Sequence, residues 1–137
     1  MFDNNTVSFY TDGAYSSTKK RGGWAVYCPE YKLRLCNGVP DTTNNRMEVM
    51  AAIKALEFID ASNLPEKNIV IYSDSKYLVE TMNGNFKMKT NLDLWAQLTD
   101  LCAGLFSKKI KWVHVKGHAG HPENEIVDKL ANLMSQN

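Results

Sequence analysis

Cysteine is scarce in this chain of 137 residues. Cys28, Cys36 and Cys102 are odd in number and never spaced Cys-x-x-Cys. That argues against a disulfide framework, and the three read as small, buried or half-buried apolar side chains. No apolar run approaches the roughly 18 residues of a membrane span. Met1-Phe2-Asp3-Asn4-Asn5 lacks the charged-then-apolar pattern of a leader, so a cytoplasmic location is expected. There is no repeat, low-complexity tract or long linker. Charge of one sign is also missing: the formal net charge is +1, too balanced to specify a partner. What is present, 44% hydrophobic and 23% charged residues, is the composition of a globular domain. It excludes a disordered tail, a collagen and a coiled coil. The length predicts one domain, 1–137, large enough to bury a core without staples.

The charges are unevenly placed. Between Thr81 and Lys116, six lysines face only Asp93 and Asp100, while acids dominate the last stretch. A basic side next to an acidic cluster suits a polyanion held near a metal. Composition alone favours a solvated lysine-rich face.

Hydropathy patterning predicts β-β-β-α-β-α-α-β-α. Val7 to Thr11 is rich in β-formers and is expected to stop at the turn signal Asp12-Gly13. Gly22 to Cys28 and Tyr31 to Cys36 flank Pro29-Glu30 as a hairpin. Val49, Ile53, Leu56 and Ile59 recur at helical spacing between Arg46 and Asp60, beside an Ala51, Ala52, Ala55 stripe suited to close packing. Asn68 to Tyr72 is a continuous apolar strand of the buried parallel type. Ser73-Asp74-Ser75 then caps a short helix ending near Met82. A helix from Asn91 to about Ala103, a strand from Ile110 to Val115 and a helix opening at Pro122 complete the chain. The core face of that last helix is expected at Ile126, Leu130 and Leu133. A hairpin-led antiparallel half followed by crossover units implies an α/β fold: a mixed five-stranded sheet, three antiparallel strands then two parallel, flanked by helices.

Four carboxylates stand where packing does not demand them: Asp12 at the first strand's end, Glu48 in the first turn of the long helix, Asp74 after the fourth strand and Asp128 in the last helix. Glu48 shares the alanine stripe and so points toward the sheet. Each has a plainer reading. Asp12 serves as a turn residue, Glu48 as half of an Asn45-x-x-Glu48 capping box, Asp74 as a helix cap and Asp128 as a solvated helix acid. Their convergence argues for function. Gathered carboxylates repel and raise one another's pKa unless a cation joins them. Oxygen ligands without cysteine suit Mg²⁺ or Mn²⁺, and four acids suit two metals in phosphoryl displacement.

In order along the chain stand Tyr10-Thr11-Asp12-Gly13-Ala14, Thr42-Thr43-Asn44-Asn45-Arg46-Met47-Glu48, Tyr72-Ser73-Asp74-Ser75-Lys76-Tyr77, Leu92-Asp93-Leu94-Trp95 and the run from Trp112 to Glu125, followed by Asp128. With these segments the chain resembles the type 1 ribonucleases H over nearly its whole length. The resemblance implies cleavage of the RNA strand of RNA–DNA hybrids with two Mg²⁺ ions per site, Mn²⁺ a possible substitute, leaving 5′-phosphate and 3′-hydroxyl ends. It implies that Asp12, Glu48, Asp74 and Asp128 are the metal-holding catalytic acids and His118 the loop histidine. It also implies that Asn44 and Asn45 touch the minor groove, whose 2′-hydroxyls they match as donors and acceptors, and that Thr43 helps hold a DNA-strand phosphate. A zinc set from His114, His118 and His121 competes for the histidine loop, without a closed zinc shell.

Two segments depart from the family. The interval before Leu92 is too short for the basic helical protrusion of many bacterial relatives, so the expected form is handle-less or reduced. Phe86, Lys87, Lys89 and Asn83 are candidate substitutes on the DNA strand; an ordinary connecting loop with a buried Phe86 is the alternative. The first loop carries Lys19-Lys20-Arg21 in place of the usual glycine loop. A monomer is expected. The rivals are a non-catalytic hybrid-binding module, which intact acids oppose, and a DNA-cutting transposase or resolvase, which Asn44-Asn45 and the His118 loop oppose.

Overall fold

The computed structural model describes residues 4–116 and 121–137. Five strands form one sheet in the order β3-β2-β1-β4-β5. They are β1 (Thr6–Ser16), β2 (Arg21–Cys28), β3 (Leu33–Pro40), β4 (Asn68–Ser73) and β5 (Lys109–His114). The first three pair antiparallel, and β4 lies parallel to both β1 and β5, the expected mixed sheet. The helices are α1 (Asn44–Ser62), α2 (Lys76–Met82), α3 (Leu92–Gly104) and α4 (Pro122–Gln136).

Side chains alternate across a strand, and the sheet divides its residues accordingly. Val7 and Phe9 of β1, Trp24 and Val26 of β2, and Ile69 and Ile71 of β4 pack under α1, α2 and α3 in the main core. On the opposite face a smaller cluster, Ala14, Ala25, Val127 and Ala131, holds α4 against β1 and β2. Among the described residues, α4 alone of the helices covers that face, and only in part.

β3 runs later than expected, Leu33–Pro40 rather than Tyr31 to Cys36, and three further local expectations are corrected. Asp12-Gly13 is not a turn: β1 continues to Ser16 because Asp12 through Ser16 pair with Ala25 through Arg21 of β2. The cap of α1 is Thr43, whose hydroxyl accepts the Arg46 N–H at 3.2 Å, so Glu48 is not part of a capping box. The buried face of α4 is Asn124, Val127, Ala131 and Ser135, with Leu133 exposed. Small residues win there because the helix presses on Gly23. A Cβ on Gly23 would meet the Ala131 carbonyl oxygen and come within 2.7 Å of the Met134 Cβ. A leucine face cannot approach that closely.

That contact predicts an asymmetry between two glycines. Gly23→Ala forces backbone apart and should lower unfolding free energy by roughly 1–3 kcal/mol. Gly38→Ala meets only the movable Arg21 guanidinium and should cost clearly less. Urea denaturation of both variants checks the order.

Candidate metal centre

β1 outruns β4. Its register with β4 ends at Thr11 with Ser73, whereas its pairing with β2 runs on to Ser16. Past Thr11 the β4 side of β1 is an open notch at the carboxyl ends of two parallel strands, where α/β sheets place their ligands. The Gly13 N–H has no strand partner there. It donates to Glu48 Oε1 at 2.7 Å and Asp12 Oδ1 at 2.9 Å. Gly13 also lets α1 sit down on β1, since a Cβ would collide with the Met47 and Glu48 backbone.

Asp74 enters the notch from the end of β4. The cap of α2 is Ser75, which accepts the Leu78 N–H, while Ser73 Oγ accepts the Ser75 N–H. The Asp74 carboxylate is thereby left out of capping. One oxygen from each of Asp12, Glu48 and Asp74 can be chosen so that all lie within 4.8 Å of one another. Asp12 and Glu48 are buried, Asp74 half-buried. Burial first, then the neighbouring Glu48 and Asp74 charges, push the Asp12 carboxyl far above the usual range. Burial and Asp74 raise Glu48 likewise, against hydrogen bonds from Asp12 and the Gly13 N–H. Three close carboxylates with no cysteine or histidine among them fit a hard divalent cation.

The remaining candidates lie around this notch. Asp128 is half-buried on α4 and outside the three-oxygen group, yet close enough for its charge to raise Glu48. Its Oδ1 accepts the Asn132 side-chain amide at 3.3 Å. His118 lies outside the described residues, so neither its relay role nor the zinc set that includes it is placed. His114 Nε2 lies 3.2 Å from the Asp74 carbonyl oxygen. Thr43, Asn44 and Asn45 are exposed at the start of α1. Asn83 spends its side-chain amide on the Trp112 carbonyl at 3.3 Å. Phe86 is not buried: 49% of it is exposed, and with Lys87 and Lys89 it lines a pocket of about 500 Å³.

A bracing network was missed in the sequence. Arg46 grips Asp93 through both guanidinium nitrogens, at 3.0 and 2.7 Å, and reaches Asn91 Oδ1 at 3.2 Å. The Asn91 amide and the Trp95 indole N–H both donate to the Tyr77 hydroxyl. The starts of α1, α2 and α3 are thus tied together around the pocket. Hydrogen bonding with Arg46 holds Asp93 down to about 2. Arg46 and Asp93 stood inside matched motifs, but only their contact across 47 residues shows what they do.

Sheet order and notch define an α/β protein of the ribonuclease H-like fold, with an acid cluster that could hold a hard cation. Comparison with known proteins agrees. A family model described as RNase H matches residues 4–136. The chain is 41% identical to a Ribonuclease H of Bradyrhizobium sp. over 146 residues, covering 96% of this chain and 90% of that one. It is 40% identical to a Ribonuclease H of Legionella pneumophila, covering 93% and 94%. It shares its fold with the N-terminal RNase H domain of a Mycobacterium tuberculosis protein, at a TM-score of 0.79 and 24% identity over 97% of this chain and 95% of that one. The chain belongs to the RNase H family and is a hydrolytic ribonuclease.

The raised carboxyl pKa values have a stability consequence. Their protons are bound more tightly in the folded than in the unfolded chain. The stability they contribute is complete below the ordinary carboxyl range near pH 4 and is lost as pH rises through neutrality. In chelator, unfolding free energy should therefore fall between about pH 5 and 8. Asp12→Asn should recover on the order of 1–3 kcal/mol at the upper end. Divalent metal should remove most of the difference. Denaturant titrations at several pH values, with and without metal, check the sign.

Proposed function

We propose that the protein is an endonuclease that hydrolyses the RNA strand of RNA–DNA hybrids, leaving 5′-phosphate and 3′-hydroxyl ends. The observation that carries this reading is the Asp12, Glu48 and Asp74 cluster in the notch between β1 and β4, in a chain of the RNase H family. Asp12, Glu48, Asp74 and Asp128 are the residues that would hold metal. Two Mg²⁺ ions, or Mn²⁺ in their place, would supply an activated water and charge stabilisation for the leaving 3′-oxygen.

The protein's own groups do the rest. The buried Gly13 N–H keeps Glu48 aimed into the notch. Asp74, free of capping duty, presents its carboxylate at the rim. His118 relays a proton or helps the product leave, as an imidazole near neutral pKa can. Exposed Asn44 and Asn45 read 2′-hydroxyls in the wide minor groove, and Thr43 faces a DNA-strand phosphate. Phe86 offers a ring and Lys87 and Lys89 two charges to the DNA strand. Asn83, already bonded to Trp112, braces that segment and is the weakest contact. The Arg46–Asp93 clamp holds groove-reading and DNA-binding segments at a fixed spacing. We further propose one catalytic domain over 1–137, acting as a monomer in the cytoplasm.

End-labelled hybrid, RNA alone and both homoduplexes, each with Mg²⁺, Mn²⁺ or chelator, provide the test. RNA should be cut only in the hybrid and only with metal. Asp12→Asn and Asp74→Asn should each lower kcat at least about 10²-fold. Cutting of duplex DNA would overturn the reading. A second series probes the pocket. Phe86→Ala and the Lys87→Ala/Lys89→Ala pair should raise KM roughly 3–10-fold with kcat little changed, and the lysine pair should flatten the salt dependence.

A further inference from the structure

The sheet face opposite α1 carries a row of aromatic rings that the site above does not use. Tyr27 pairs with Tyr10 across β2 and β1, and Tyr10 with Tyr72 across β1 and β4. Arg34 stands opposite Tyr27 on β3, its guanidinium 5.5 Å from the ring centre. The Tyr10 and Tyr72 rings lie nearly parallel, with centres 4.7 Å apart and planes at 11°. Among the described residues α4 packs on β1, β2 and β3 of this face, next to Tyr10 and Tyr27. Val70, Tyr72 and Val113 are left half-exposed, and Lys109 and Lys111 exposed.

The lysines belong to the same surface. Lys109 is in register with Asn68 and Lys111 with Val70, so both project on the side of Tyr72, Lys111 diagonal to it and Lys109 two residues further back along β5. Glu30 and Glu123 lie on the β2 and α4 sides of Tyr10, so a polyanion finds its cations along β5. An open sheet with aromatic rings in register and a basic edge matches what an unpaired strand needs: flat faces for its bases and ammonium groups for its phosphates. A duplex, with its bases stacked inside, gains nothing from the rings.

We propose that this open face is a second nucleic-acid surface, which holds a single strand with a base against Tyr72 and phosphates along Lys109 and Lys111. It adjoins the candidate metal centre, since Tyr10 and Tyr72 stand two residues before Asp12 and Asp74, and its occupant is the released RNA strand.

The experiment is fluorescence anisotropy of a labelled 12-nucleotide oligouridine in chelator, with full-length protein. Wild type should bind in a salt-dependent manner. Lys109→Glu/Lys111→Glu should weaken binding roughly 5–20-fold and lower the salt slope by about 1–2. Tyr72→Ala should weaken it roughly 5–50-fold, and Tyr72→Phe should restore it. The lysine substitutions are on exposed positions, and circular dichroism checks their folding. Cleavage of a blunt 12-base-pair hybrid by the lysine variant should stay within about twofold of wild type. The proposal is overturned by any of three results: no oligouridine binding by wild type, unchanged binding in the lysine variant, or sedimentation showing a dimer that Tyr72→Ala dissolves. Failure here leaves the hybrid-cleavage assay untouched, and the reverse also holds.

Discussion

Helix α1 touches strand β1 through the backbone of Gly13, and everything at the candidate metal centre depends on that contact. With a Cβ there, Met47 and Glu48 would have to lift away. The glycine N–H would then lose its buried carboxylate acceptor, and Glu48 would leave the notch. The same residue supplies space and a hydrogen-bond donor. The alanine stripe of α1, with Ala51, Ala52 and Ala55 fully buried, carries the close approach along the helix.

Bringing Asp12, Glu48 and Asp74 together opposes folding on its own. Burial strips water from two of them, and repulsion raises their pKa values. The surrounding structure holds the arrangement by surplus: the core beneath α1, α2 and α3 and the Arg46–Asp93 clamp. A cation turns the repulsion into binding energy, so the cluster is poised for a hard metal ion. Strain of this kind at a functional site is compensated elsewhere in the fold.

The two faces of the sheet have different fates. Three helices seal one face, and the large side chains gather there. Among the described residues one helix, α4, covers the β1–β3 part of the other, leaving Tyr72 half-exposed and the β5 lysines in contact with solvent. Asp12 belongs to this second face by strand alternation but meets Glu48 from the first, because β4 stops and leaves a passage between them. The notch joins chemistry from both sides of the sheet.

Much of this was legible in the residues alone. Periodicity announced the nine main elements, motif order the family, and four acids standing apart from the core pattern the candidate site, where Asp12, Glu48 and Asp74 come together. Local signals misled where a distant partner decided the outcome. Asp12-Gly13 carries a turn signal, yet pairing with β2 keeps it extended. Asn45 and Glu48 carry a capping signal, yet Thr43 caps and Glu48 serves Gly13. Leu133 carries a core signal, yet Gly23 selects the small-residue face of α4 and leaves it exposed, with Leu130 half-buried beside that face. Periodicity is a property of one element, so sequence determined which elements form. Register, rotation of a helix about its axis and the reach of Arg46 to Asp93 are properties of pairs of elements. Those were decided by close packing, which sums contacts between residues far apart in the chain.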